Sequence, residues 1–151
     1  MELALKTLEA KGVEGDMARI IDIEGIGPAY KQALKEKAGI TTTEALLEAA
    51  TTPKGRESLA AKTGISEKYI LEWANLADLF RIRGVGSEYS DLLEEAGVDT
   101  VAELAKRNGE NLFKALKETN DSKALVRRLP TLEQVADWIE QAKKLPRVLT
   151  Y

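Results

Sequence analysis

The sequence predicts an all-α protein made of two similar helical units. Residues typical of helix starts and stops recur along the chain, while the alternating pattern typical of half-buried strands is nearly missing. Apolar residues follow helical spacing over stretches such as 66–80. One short pattern, Ile-charged-Gly-aliphatic-Gly-x-x-Tyr, occurs twice, as IEGIGPAY at 23–30 and as IRGVGSEY at 82–89. Together these features predict an internally duplicated helical bundle.

Local signals place four helices in the first half of the chain. Pro28 stands at a first helical position and Gly39 at a C-terminal stop, which predicts a helix over 28–38. Thr41, followed three residues later by Glu44, has the signature of a capping box that opens a second helix. Two further helices are signalled by a start at Thr52-Pro53, a stop at Gly64 and a cap at Ser66.

The same order of signals returns after residue 84. Ser87 is predicted to cap a helix that stops at Gly97, and Thr100 with Glu103 repeats the capping box. The segment 109–127 has no clear helix boundaries, and Thr131 with Gln134 is predicted to cap the last helix. Aligning the halves pairs Gly25 with Gly84, Gly27 with Gly86, Tyr30 with Tyr89, Leu34 with Leu93, and Trp73 with Trp138.

This alignment predicts an internal duplication of about 60 residues per unit. The predicted organisation is an N-terminal helical extension over 1–19, a first unit over 20–80, a second unit over 81–145 and a C-terminal tail over 146–151. Each unit leaves an apolar helix face that it cannot cover alone. We therefore expect the units to meet about a pseudo-two-fold axis, with Trp73 and Trp138 filling a shared core.

Composition excludes several kinds of chemistry. The chain of 151 residues has no cysteine and no histidine, so disulfides, thiolate nucleophiles, imidazole bases and the usual ligands of zinc or haem are ruled out. No carboxylate pair stands out as a general acid and base. We therefore expect no enzyme activity, no bound metal and no small-molecule substrate. The polar N-terminus and the absence of a long apolar run predict a cytoplasmic protein without a membrane span.

Charge argues against a strongly basic nucleic-acid binder. Lys and Arg number 22 and Asp and Glu number 25, which leaves a net charge of −3 at pH 7. Nucleic-acid-binding domains are usually basic, so any such contact must come from a local patch.

The repeated glycine turn suits anion binding. Glycines allow a sharp bend with positive φ, and the aliphatic residue between them is expected to enter the core. The amides at the start of the following helix then face outward, backed by the helix dipole. Such a site can hold a phosphate of DNA or RNA without reading bases.

The stretches IIDIEGIGPAYKQAL and LFRIRGVGSEYSDLL resemble the helix-hairpin-helix motif. More widely, the run GISEKYILEWANLADLFRIRGVGSEYSDLLEEAGVDTVAELAKRN and the ending LVRRLPTLEQVADWIEQAKKLPRVLTY resemble a prokaryotic family of tandem helix-hairpin-helix proteins catalogued as a domain of unknown function. The resemblance covers about residues 20–151. It implies a SAM-like helical bundle of two pseudo-symmetric units.

The resemblance also implies a set of site residues. In DNA-repair members of the wider superfamily, hairpin amides hold the phosphate backbone, sometimes with a monovalent cation on the hairpin carbonyls. The matching positions here are Gly25, Ile26, Gly27, Gly84, Val85 and Gly86, with basic support from Lys31, Lys35, Arg81 and Arg83. This sequence departs from the pattern at Glu24 and at four acidic residues after the second hairpin, namely Glu88, Asp91, Glu94 and Glu95. The negative charge of the four residues opposes the approach of a phosphate and weakens the prediction that the second hairpin binds one.

Two functions remain open. The first is sequence-independent binding of a DNA or RNA backbone by the hairpins. The alternative is a protein-interaction or scaffold module that presents an acidic and apolar surface to a protein partner. The aromatic residues do not decide between them, because Trp73, Trp138, Tyr30 and Tyr89 lie on apolar helix faces where core packing is favoured over base stacking.

Overall fold

The computed structural model describes Ile23 and residues 26–151. Over these residues the chain forms eight helices and no β-strand, so the all-α prediction is confirmed. The helices, in chain order, are α1 (Pro28–Ala38), α2 (Thr43–Ala49), α3 (Pro53–Thr63), α4 (Glu67–Leu79), α5 (Ser87–Glu95), α6 (Val101–Ala105), α7 (Gly109–Lys123) and α8 (Leu132–Lys144). The predicted extension over 1–19, together with Glu24 and Gly25, lies outside the described residues. No helix in the described part is long and apolar enough to cross a bilayer.

Most helix boundaries follow the local signals. Helix α1 occupies 28–38 as predicted and ends at Gly39, which is left-handed at φ 67°. Six helices begin at a residue whose side chain accepts a hydrogen bond from a backbone N–H of the first turn, which stabilises the helix start. These residues are Thr42, Thr52, Ser66, Thr100, Asn108 and Thr131, and the capping box of Thr131 with Gln134 is complete.

Two predicted caps are wrong by one residue. Helix α2 is capped by Thr42 rather than Thr41, because the Thr42 hydroxyl oxygen lies 3.1 Å from the backbone nitrogen of Ala45. Helix α5 begins at Ser87 itself, and the N-cap is Gly86, whose carbonyl oxygen accepts from the Ser90 N–H at 2.9 Å. The N-cap position of α5 is therefore held by Gly86, which has no side chain to accept a capping hydrogen bond.

The two halves pack their helices in the same order. In the first half α1 contacts α3, and α4 contacts both α2 and α3. In the second half α5 contacts α7, and α8 contacts both α6 and α7. Helix α4 also contacts α5 and so joins the halves. These contacts match when α1–α4 are compared with α5–α8, although α2 also contacts α3 and no comparable contact joins α6 to α7.

The apolar core consists of two clusters rather than one. Trp73 lies in the first cluster and Trp138 in the second, and each indole is 2% exposed. Burial of both tryptophans is thus confirmed, but the expectation that they fill one shared core is wrong. Because four helices in each half already surround their own apolar side chains, each indole completes the core of its own half. Helix α4 contributes to both, with Ile70 in the first cluster and Leu79 in the second.

One buried carboxylate ties the halves together. Asp78, near the end of α4, is 3% exposed. One of its oxygens accepts from the Arg81 guanidinium at 2.8 Å, and the other accepts from the Val101 N–H at the start of α6 at 2.9 Å. Arg81 in turn donates to the Pro146 carbonyl at 2.7 Å. Asp78 and Arg81 therefore connect α4, α6 and the segment that follows α8.

The C-terminal segment 146–151 packs against the first half. Leu149 is 2% exposed and belongs to the first core cluster. The Thr150 N–H donates to the Thr51 carbonyl at 2.9 Å. Buried Arg56 donates to the Ala50 carbonyl at 2.8 Å and to the Thr150 carbonyl at 2.9 Å. These bonds anchor the segment to α3 and to the α2–α3 connection.

Candidate functional site

An equivalent backbone hydrogen bond closes each of the two glycine turns. We call IEGIG at 23–27 the first turn and IRGVG at 82–86 the second turn. The Ile26 N–H donates to the Ile23 carbonyl at 3.2 Å, and the Val85 N–H donates to the Ile82 carbonyl at 3.1 Å. Ile26 and Val85 are each 4% exposed. The prediction that the aliphatic residue of each turn enters the core is therefore confirmed.

The glycines of the turns have different conformations. Gly84 is left-handed at φ 94°, and a Cβ built there would lie 3.1 Å from the Trp138 Nε1 atom. Gly27 and Gly86 have ordinary negative φ, and nothing lies within 4 Å of the position of a Cβ. Positive φ is thus a property of Gly84 alone among these three glycines, while the backbone at Gly27 and Gly86 is open to an approaching group. Gly25 lies outside the described residues.

The helices that follow the turns start without a side-chain cap. Gly27 begins α1 and Gly86 begins α5, and neither can accept a hydrogen bond through a side chain. The other six described helices all have such a cap. Because uncapped first-turn amides are donors next to the positive end of the helix dipole, both starts have the chemistry of an anion site.

Basic side chains are available at the first turn. Lys31 is half-buried and Lys35 is exposed one helical turn later, in the last turn of α1. Neither lysine forms an ion pair within the described part of the chain. The first turn of α1 contains no acidic residue. Among the described residues, the charge around the start of α1 is therefore favourable for an anion.

The second turn has fewer free cations. Arg81 is held by Asp78 and by the Pro146 carbonyl, so its guanidinium supports the fold and is not available to a ligand. Arg83 is exposed, and its backbone is fixed by the Gln141 side chain, which accepts from its N–H at 2.8 Å and donates to its carbonyl at 3.1 Å. Of the two predicted arginines, Arg83 alone presents a side chain to solvent.

Acidic residues cover the helix behind the second turn. Carboxylate oxygens of Asp91, Glu94 and Glu95 all lie within 4.8 Å of one another. Burial first, and then repulsion from Glu72, Asp91, Glu95 and Asp99, raises the pKa of Glu94 from its ordinary value of 4.5 to about 7. Glu95 also pairs with Lys123. Grouped carboxylates suit hard cations such as Ca²⁺, but they are common on helix surfaces without one, and here they chiefly repel a phosphate.

The raised pKa of Glu94 predicts a pH-dependent stability. The folded protein binds this proton more tightly than the unfolded chain, so the stabilising contribution is complete below about pH 4.5 and is lost as the pH rises through about 7. Glu94→Gln, which is always neutral, should raise the melting temperature at about pH 8 and reduce its fall between about pH 5 and pH 8. Thermal melts followed by circular dichroism measure this. Glu88→Gln, an exposed change on the same helix, is the control, and equal pH profiles for Glu94→Gln and the parent would contradict the prediction.

Aromatic side chains lie beside the first turn. The ring of Tyr30, in the first turn of α1, has its centroid 5.2 Å from that of Trp73 and 6.0 Å from that of Tyr69. Tyr69 stacks on Trp73 at 6.1 Å with an angle of 17° between the planes. In the second half, Tyr89 makes the equivalent contact with Trp138 at 5.3 Å. Sequence patterns did not single out Tyr69, although its position four residues before Trp73 indicates that the two rings share one face of α4.

The fold and the two turns define an all-α protein with two uncapped glycine turns, one in a basic and one in an acidic setting. The chain belongs to the family described as Domain of unknown function (DUF4332), which matches residues 24–145. The resemblance to a family catalogued under unknown function is thereby confirmed. Comparison with curated proteins gave no match, and neither did comparison with solved structures.

Proposed function

We propose that this protein is a non-catalytic module that binds the phosphate backbone of nucleic acid, without sequence preference, at the first glycine turn. One observation carries the proposal. The described helices are capped by side chains except at the two glycine turns, and the first of these is followed by Lys31 and Lys35 with no acidic residue in the first turn of α1. The proposal includes no catalytic residue, no small-molecule substrate and no transition metal.

The proposal treats the two halves as duplicated helix-hairpin-helix units. Matching hydrogen bonds in the turns, matching helix packing and equivalent tyrosine–tryptophan contacts support this interpretation. In such a unit the backbone amides of the first turn of α1 that follow Pro28, which itself has no N–H, approach a phosphate, and the lysines add charge. Because phosphate contacts position a strand and do not specify its bases, binding is expected to be independent of sequence.

The two turns contribute unequally to this function. The second turn, with Gly84, Val85 and Gly86, could form a second phosphate site through its backbone. However, Arg81 is paired with Asp78, and the acidic cluster lies on the following helix. Like charge in that place raises the free energy of a bound phosphate. The Ile26 N–H is already bonded to the Ile23 carbonyl and its side chain is buried, so we assign the main contact to Gly27, Lys31 and Lys35, with Arg83 as a minor addition.

Charge reversal at the first turn tests the proposal. Lys31→Glu with Lys35→Glu should weaken binding to all DNA and RNA sequences alike and flatten the dependence of log K on log salt by about two phosphate contacts. The exposed change Lys35→Glu should shift stability by about 0.5 kcal/mol or less and the half-buried change Lys31→Glu somewhat more, so thermal melting of the variant is compared with that of the parent. Polarisation titrations of labelled DNA and RNA at low and moderate salt give both quantities.

The matched control is Lys54→Glu with Lys62→Glu. Both residues are exposed on α3, and Lys62, like Lys35, stands in the last turn of its helix. The two double variants thus have the same net charge. If the control pair weakens binding as much as the α1 pair, the first turn is not the site.

A protein-interaction module is the second candidate, and the acidic face of α5 favours it. A basic protein surface would complement the negative charge of Asp91, Glu94 and Glu95, whereas a phosphate is repelled by it, so this function does not need nucleic-acid binding. No binding of the parent protein to DNA or RNA at low salt would select this candidate and reject the first.

A further inference from the structure

Two exposed tyrosines beside the first turn form a surface that takes no part in the proposed phosphate site. Tyr30 is 38% exposed and Tyr69 is 42% exposed, and their ring centroids lie 6.0 Å apart. No hydrogen bond joins either hydroxyl to the described part of the chain, whereas the hydroxyls of Tyr89 and Tyr151 are both bonded. We call Tyr30 and Tyr69 the tyrosine face.

The tyrosine face is held in place from below. Trp73 is 2% exposed and contacts both rings, tilted against Tyr30 and nearly parallel to Tyr69. A buried indole limits the movement of rings that rest on it, because displacement would open a gap in the core. The two phenol rings are therefore ordered before any ligand arrives.

The fold does not require these rings to be exposed. In the second half the residue four positions before the tryptophan is Gln134, which completes the capping box with Thr131. Tyr89, the counterpart of Tyr30, is half-buried and donates its hydroxyl hydrogen bond to the Arg128 carbonyl at 3.0 Å. At this surface the second half thus has an exposed polar side chain and a hydrogen-bonded tyrosine, whereas the first half has two exposed aromatic rings.

The open surface belongs to the same helix start as the proposed phosphate site. Tyr30 is the third residue of α1 and directly precedes Lys31. Tyr69 is the third residue of α4 and directly follows Lys68, which is exposed. Aromatic rings whose sequence neighbours are cationic complement a ligand that offers flat rings and negative charges together.

We infer that the tyrosine face binds an unpaired base of single-stranded nucleic acid whose phosphates lie on the first turn. Bases stack on aromatic side chains without regard to sequence, since every base has a π-face. In a duplex the base faces are already stacked on each other and cannot reach the tyrosines. This inference rests on the proposed function and adds a preference for single strands over duplexes.

The test compares three probes of equal length: an oligothymidylate, the same backbone with abasic sites, and a DNA duplex. The parent should bind the oligothymidylate more tightly than either of the others. Tyr69→Gln, which introduces the residue found at the equivalent position of the second half, should weaken oligothymidylate binding about tenfold. It should leave binding to the abasic strand unchanged. Tyr69→Phe keeps the ring and should retain the parent affinity.

A second measurement uses only the parent protein, so it tests the inference even if Tyr69→Gln fails to fold. Light-induced crosslinking of the parent to an oligonucleotide that contains 5-iodouracil should label Tyr30 or Tyr69, as identified by mass spectrometry of the peptides. Labelling of Tyr89 or Tyr151 instead would overturn the assignment.

The outcomes separate the two proposals. Equal affinity of the parent for all three probes, with no effect of Tyr69→Gln, rejects the stacking surface and leaves the phosphate site intact. No affinity for any probe at low salt rejects the proposed function and, with it, the present inference.

Discussion

Replacing Trp138 by alanine is expected to lower the free energy of unfolding by about 3–5 kcal/mol. The indole is 2% exposed in the second core cluster, and its ring centroid lies 5.3 Å from that of Tyr89. It also packs against the backbone of Gly84 in the second turn. Removing the indole leaves a cavity that the surrounding helices fill only in part, so the loss exceeds the transfer free energy of the ring alone.

Urea denaturation followed by circular dichroism measures this loss. Leu132→Ala, a 41% exposed position on the same helix, is the control and should cost much less. A loss below about 1 kcal/mol for Trp138→Ala would mean that the ring contributes little to the core.

Replacing Asp78 by alanine should cost about 3 kcal/mol or more, because the change leaves partly buried donors without an acceptor. The Asp78 side chain is 4% exposed and that of Arg81 is 17% exposed. Without the carboxylate, both the Arg81 guanidinium and the Val101 N–H lose a partner. Arg81→Ala should also be costly, because it leaves the buried Asp78 carboxylate with the Val101 N–H but without its cationic partner.

A double-mutant cycle separates these contributions. The loss in the Asp78→Ala, Arg81→Ala double variant should be smaller than the sum of the single losses, because both changes disrupt the same contact. The exposed pair Lys143–Glu140, with atoms 3.3 Å apart, is the comparison, and Lys143→Ala should cost about 1 kcal/mol or less. An Asp78→Ala loss no larger than that of Lys143→Ala would contradict the expected role of the buried pair.

Local signals were sufficient to predict most of the helices. Proline at a first helical position, glycine at a stop and threonine at a cap act through bonds within a few residues, so Pro28, Gly39 and Thr131 could be assigned from the sequence. The cap of α2 was misplaced because Thr41 and Thr42 are adjacent and both precede Glu44 closely enough to resemble a capping residue. The choice between them depends on backbone geometry that the sequence pattern does not specify.

Long-range packing could not be predicted in the same way. The sequence predicts a shared core because each unit leaves an apolar helix face that its own helices do not cover, yet Leu149, from beyond α8, helps cover the first core. In the candidate site, Arg81 was assigned to a ligand although Asp78 stands three residues before it, a spacing that favours an ion pair within the chain. The Pro146 contact that also occupies Arg81 has no signal in the sequence.

Because residues 146–151 pack against the first half, the core of that half is completed late in the synthesis of the chain. Thr150 bonds to Thr51, a residue 99 positions earlier, and Leu149 enters the core of the first half. During synthesis the chain emerges from its N-terminus at about 5–20 residues per second, so α1–α4 wait on the order of several seconds for these residues. Throughout that interval the first half lacks the Leu149 side chain in its core. Arg56, which is buried in the folded protein, also lacks the Thr150 carbonyl as an acceptor. The core of the half that is synthesised first is therefore complete only after Leu149 and Thr150 have been synthesised.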